Sequence, residues 1–287
     1  MTGSLYAHLP QRSVISVAGD DAREFLQGII SNDINKVKDG AAIWAAFLTP
    51  QGKYLYDFFI VENDGMLLID CEAERLPEFF KKLKMYKLRS KVDLNDASDQ
   101  FEVFAIFGGD GGNPATGYDG DGVIFADPRH PSVGARAIMP KGTGAVALDG
   151  LGIAPSDATA YDTHRLALGL PDGSRDLIVD KSTLLENGFD ELHGVDWDKG
   201  CYMGQELTAR TKYRGLVKKR LLPVFFEGTA PQPGTPVTAD GKEVGEMRSS
   251  QGSLGLALIR LEAIEAGTAL EAEGMPLTAS KPDWANF

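Results

Sequence analysis

Three apolar runs, 42–49, 53–61 and 66–71, follow one another with only Pro50-Gln51-Gly52 and Asn63-Asp64-Gly65 between them. Connections this short, built from turn-forming residues, join antiparallel neighbours, whereas a parallel crossover needs a dozen or more residues. This part of the chain therefore reads as an antiparallel meander. Residues 14–18 add a buried strand ending at Gly19, with Asp20 or Asp21 placed to cap the helix that follows. Phe25, Leu26, Ile29 and Ile30 give that helix one apolar face, and it is expected to end near Ser31-Asn32-Asp33. Helical spacing returns at 73–88, with Leu76, Phe79, Phe80, Leu83 and Met85 or Tyr86 on one side and Pro77 in the first turn. Strands are expected at 92–94, 103–107, 123–126 and 135–139, a Gly- and Asp-rich loop at 108–122, and a helix at 156–168 capped by Ser156. Antiparallel strands with interspersed helices, and no glycine fingerprint of a dinucleotide-binding βαβ unit, indicate the α+β class.

The pattern changes after residue 216. Short strands at 221–226, 234–237, 244–248, 254–260 and 277–280, separated by Pro and Gly, suggest a small β-barrel. The expected division is 1–215 for the α+β region and 216–287 for the barrel.

Composition narrows the function. Cys71 and Cys201 are the only cysteines, so no disulfide framework is expected, and a reducing cytoplasm is the simplest home. Iron–sulfur clusters are usually held by about four thiolates. This chain cannot enclose one alone, and any cluster contact would be shared with a partner. Its four histidines form no HxxxH or HxH pair, so no bound metal is expected. No run is long and apolar enough for a membrane helix, and the amino end shows neither a secretory signal nor an arginine-rich leader. A net charge of −12 opposes bulk nucleic-acid binding. Against that background, Arg210, Lys212, Arg214, Lys218, Lys219 and Arg220 form a run with no acidic residue between them. It is either a solvated face or a site for an anionic tail or an acidic partner.

Lys199-Gly200-Cys201-Tyr202-Met203-Gly204-Gln205-Glu206 carries the chemistry. Two glycines around a cysteine suggest a backbone that something approaches closely. Lys199 could favour the thiolate, the reactive and metal-binding form, or bind an anion. Gln205 and Glu206 could anchor the loop, since an early glutamate suits the positive end of a helix dipole. The plain alternative is a tight turn with Cys201 as a small buried apolar residue.

This stretch resembles the KGC-[FY]-x-GQE signature of the YgfZ family, related to the T-protein of the glycine cleavage system, a folate-dependent aminomethyltransferase. Residues 25–34, 49–60, 164–173, 184–200 and 207–221 continue the resemblance. It implies two interleaved α+β lobes around a central channel plus a small C-terminal β-barrel. It implies a role as a folate-linked accessory protein in iron–sulfur cluster assembly or repair, serving clients such as radical enzymes that thiolate transfer RNA. Its partners would be iron–sulfur assembly proteins and cluster-containing client enzymes. Cys201 is then the key residue, through iron ligation at a partner's cluster, a thiol adduct or a redox contact. Tetrahydrofolate or a related folate is the implied ligand, with Asn32, Asp33, Asp57, Tyr161 and Arg165 as its candidate contacts. The relatives have an aspartate pair where this chain has Tyr56-Asp57, and a pterin-binding glutamate where it has Ala167. Charge-assisted bonds of that kind are worth ~1.5–3 kcal/mol each, so folate binding is expected to be weak. An accessory role without turnover is therefore favoured, with a tetrahydrofolate-dependent one-carbon transferase as the alternative. A Cys–His hydrolase using His164 or His193 ranks third. Cys71 is expected to be core.

Overall fold

The computed structural model describes residues 3–38, 40–109 and 118–287. The chain forms two units, each gathered from separate stretches. The first comprises Met1–Leu48, Leu55–Tyr161 and His193–Met203, and the second Thr49–Tyr54, Asp162–Leu192 and Gly204–Phe287.

In the first unit the meander is realised as Ile43–Leu48, Tyr54–Asn63 and Met66–Glu72, extended by Arg12–Ala18 and then Asp93–Asp96 into a five-stranded sheet. Asp64 and Gly65 both have positive φ, 49° and 75°, which matches the twist of a two-residue hairpin. Successive side chains along Tyr54–Asn63 point to opposite faces. Tyr56 and Phe58 stack on Phe79 of the helix Leu76–Lys87, with centroids 4.6 and 5.1 Å apart. Phe59 points the other way, towards Phe125 of a second sheet. Cys71 is buried, and burial pushes its thiol up.

The second sheet has the order Ala154–Pro155, Ser4–His8, Phe101–Gly108, Ala135–Pro140, Val123–Ala126. Phe104, Ile106, Ala137 and Met139 pack there with Leu148 of a short helix, Gly144–Gly150. Most of the loop expected at 108–122 lies outside the described residues. Two expected caps are corrected. Asp21 makes no side-chain cap, because its carboxylate accepts the Lys91 N–H instead. Ser156 gives its backbone N–H to Tyr6, and Asp157 accepts from Ala160 at the start of Ala158–Ala167. The first helix, Ala22–Gln27, stops short of Ser31 and is followed by the 3-10 turn Ile34–Lys36.

In the second unit six strands close a barrel in the order Lys219–Phe225, Leu254–Arg260, Lys242–Gln251, Pro236–Ala239, Leu270–Ala272, Met275–Ala279. Closure leaves no open sheet edge. Phe226, Val237, Met247, Ile259 and Leu277 fill the interior. A register shift between Met247 and Ser250 frees the Ser249 N–H from the ladder, and Asp176 accepts it at 3.0 Å.

Candidate functional site

Within the first unit, the stretch ahead of the cysteine is set by Asp196. Its Oδ1 accepts the backbone N–H groups of Asp198 and Lys199 at 2.7 and 2.9 Å, and its Oδ2 lies 2.6 Å from Lys36 Nζ. Burial pushes this carboxyl up, but Lys36 and the two N–H groups outweigh that and hold it below the usual carboxylate range. Lys199 then turns inward. Its ammonium donates to the carbonyls of Gln27, Ile30 and Asn32 at 2.9, 2.7 and 2.7 Å, around the end of the first helix, where a cation also suits the dipole. Burial lowers this ammonium to about 8, with Asp33 and Asp196 opposing the shift. On the other side of the cysteine, Met203 N–H donates to Gly28 at 3.2 Å.

The result is a loop fastened on both flanks with its thiol outside. Cys201 is exposed, Tyr202 beside it is buried, and a Cβ added at Gly200 would meet nothing. The reading of Cys201 as buried core therefore fails. All three ammonium N–H groups of Lys199 are engaged by carbonyls, so it acts as the fastening of the loop. Gly204, at φ 84°, precedes the helix Gln205–Tyr213, with Glu206 exposed in the first turn. In the second unit the glycine of the first hairpin turn meets this helix: a Cβ at Gly52 would lie 2.7 Å from the Gly204 oxygen. No hydrogen bond joins a histidine to Cys201 among the described residues, which leaves the hydrolase reading without support.

The residues expected to meet a folate are mostly engaged by the protein itself. Asn32 is buried, donates to the Trp44 and His193 carbonyls and accepts the Asp33 N–H. Asp33 Oδ1 accepts from Gln27 Nε2, Asn35 N and Asn35 Nδ2. Asp57 is buried and accepts from Trp44 Nε1 at 3.0 Å. Tyr161 is buried, and its hydroxyl accepts from Arg129 and Arg136 at 3.3 and 3.4 Å. In the second unit Arg165, 1% exposed, donates to Asp162, Asp176, Ser249 and the Leu170 carbonyl, and is a packing hub. This set does not fit a tight folate site. Tyr56 also needs correcting as a marker. It lies in the aromatic stack beneath the helix Leu76–Lys87, with Arg75 4.2 Å over its ring, and not on the face that carries Asp57.

Sequence reasoning missed a buried charged cluster between the two sheets of the first unit. Asp70 is fully buried between Arg12 Nε at 2.6 Å and Arg136 Nε at 2.9 Å, and Arg129 pairs with Asp127 at 2.7 Å. The guanidinium groups of Arg129 and Arg136 lie 4.9 and 4.2 Å from the Phe59 ring centre. The strand alternation around Asp70 was a usable signal, but its arginines come from positions 58 and 66 residues away. In the basic run, Lys212 pairs with Asp190 and Arg220 with Glu191, so that patch is partly neutralised; Arg210, Arg214 and Lys218 are exposed.

Comparisons with known proteins agree with this architecture. Residues 218–287 match the model of the CAF17 C-terminal beta-barrel domain. The iron-sulfur cluster assembly factor IBA57 homolog of Mycosarcoma maydis, named as mitochondrial, is 36% identical over 94% of this chain and 68% of its own length. The mouse and human IBA57 factors, also named mitochondrial, are 33% and 34% identical over 96% of this chain and 84% of their own length. The crystal structure of the glycine cleavage system aminomethyltransferase T from Bartonella henselae superposes with a TM-score of 0.79 at 15% identity, covering 99% of this chain and 87% of that one. That likeness carries the fold, a T-protein α+β architecture with a closed six-stranded barrel. The relatives correct the expected cytoplasmic location, since they are mitochondrial by name. A low cysteine count separates reducing from oxidising compartments and does not say which reducing compartment.

Proposed function

This chain belongs to the IBA57 family of iron–sulfur cluster assembly factors, and from that premise we propose that it assists cluster assembly by offering Cys201 to a cluster carried by a partner. The carrying observation is the exposed thiol on a loop fastened at Lys199 and Met203. One thiol cannot hold a cluster that usually takes about four. An exposed, positioned thiolate can complete the coordination of iron already held elsewhere, then release it. Gly200 fits this role, because it adds no side chain beside the thiol and the space around it is open.

The test mixes the purified protein with a [2Fe–2S]-loaded scaffold protein and records visible circular dichroism. A changed cluster spectrum that requires Cys201 is expected. The same change with Cys201→Ser would end the proposal.

The resemblance to YgfZ supports a narrower set of clients, the radical enzymes that thiolate transfer RNA. Assaying a panel of cluster-containing enzymes after gene deletion tests it, and these enzymes should lose activity first. We also propose that tetrahydrofolate binds weakly, because Asn32, Asp57 and Arg165 are engaged internally and Ala167 offers no carboxylate. Calorimetry should give micromolar or weaker affinity, and nanomolar affinity would contradict it. The same engagement of polar groups argues against the one-carbon transferase alternative.

A further inference from the structure

An open groove of about 890 Å³ runs between the first helix and the end of the helix Leu76–Lys87, with Phe25, Ile29, Tyr86 and Leu88 among its lining residues. Its exposed apolar groups are unusual for a surface: Leu88 is 85% exposed and neighbouring Met85 is 64% exposed. Leu88 also has φ 48° and ψ −112°, and Lys87 O accepts from Ser90 N–H across it at 2.9 Å. This is the first central position of a type II′ turn, where glycine fits and an L side chain is strained. Folding gains nothing from a leucine held there in water.

The groove adjoins the segment to which the cysteine loop is fastened. Ile29, in its lining, lies between Gly28, which accepts from Met203, and Ile30, which accepts from Lys199. The segment that borders it is basic, and Arg89 of that segment lines it. Lys81, Lys82, Lys84, Lys87, Arg89 and Lys91 occur within eleven residues with no acidic residue among them, in a chain of net charge −12. The lining also carries Asp21 and Glu24, and Asp21 accepts the Lys91 N–H at the end of that basic segment. A concave surface with carboxylates in its lining does not suit a flat anionic bilayer. It suits an apolar knob on a protein segment whose flank is acidic.

We propose that this groove docks the cluster-carrying partner through an amphipathic segment with an acidic flank, placing its iron against Cys201. The inference rests on the proposed role of Cys201.

A photo-crosslinking residue placed at Met85 in cells, with one at the also exposed Val146 as control, tests it. The expected result is an adduct specific to position 85, identified by mass spectrometry as an iron–sulfur protein joined through an acidic peptide. No adduct above the control, or an adduct only to phospholipid or to a second copy of this chain, would overturn it. Leu88→Gly should melt at the same or a higher temperature, yet reduce rescue of client-enzyme activity to under a third. Full rescue by Leu88→Gly, with Cys201→Ala inactive, would remove the groove and leave the cysteine role. An acidic iron–sulfur adduct at 85, with Cys201→Ala fully active, would remove the cysteine role and leave the groove.

Discussion

Replacing Lys199 by Met should loosen the cysteine loop without unfolding the protein. The substitution keeps the side chain's length and removes a group that donates to the carbonyls of Gln27, Ile30 and Asn32. Hydrogen bonds to charged groups contribute ~1.5–3 kcal/mol each, about 4–5 kcal/mol for three at the lower end. Desolvation of the ammonium offsets roughly half, leaving about 2 kcal/mol as the strength of the fastening. Hydrogen exchange of the peptide containing Met203, whose N–H bonds to Gly28, reads this directly. Exchange there should speed up about thirtyfold, at 1.36 kcal/mol per tenfold. The effect also has a sign in pH. Burial brings the Lys199 ammonium down to about 8, below its value in the unfolded chain. The unfolded chain then holds this proton more firmly, so the contribution of Lys199 is least below pH 8 and grows as pH rises from there. The difference between wild type and variant should therefore widen from about pH 7 to about pH 9.5. Exchange unchanged within about threefold would refute the fastening role, and a gap that narrows with pH would show that the three carbonyls raise this ammonium where burial was taken to lower it.

Asp70→Asn leaves the buried Arg12 and Arg136 without the carboxylate between them, and should destabilise the first unit by ~3–5 kcal/mol in denaturant unfolding. Burial raises the Asp127 carboxyl, but Arg129 beside it outweighs this and holds it low. The stabilisation from that pair is thus present above about pH 4 and lost as pH falls through the lower folded-state value; Asp127→Asn should flatten this part of the acid-unfolding curve.

The strands are legible where short apolar runs meet good turn chemistry, as at 42–71 and through most of the barrel. Leu270–Ala272 is not, because three residues reading Leu-Glu-Ala carry no period and lean helical. Gly144–Gly150 hid for the related reason that glycines bound it. The order of adjacent residues misled twice. Ser156 and Asp157 are both good caps, and only the register of the helix decides for Asp157. Tyr56 and Asp57 are neighbours in sequence but face opposite ways, which the strand period already implied. The cysteine loop was readable as a motif, but not as a structure. Its fastening depends on Lys199 meeting carbonyls 167 to 172 residues earlier in the chain, and no local pattern encodes that. The groove is not legible in the sequence, because helical spacing assigns Met85 or Tyr86 to the core side. Leu76, Phe79 and Leu83 complete the buried stripe, and Met85, two positions on, falls to the open side of the helix.

The central claim is that an exposed Cys201 on a fastened loop carries the cellular activity. Its most direct measurement is rescue of a deletion strain by Cys201→Ala, with client-enzyme activity and thermal unfolding of the purified variant read together. Because the side chain is exposed, unfolding should be unchanged while rescue is lost. Full rescue by the alanine variant would contradict the account.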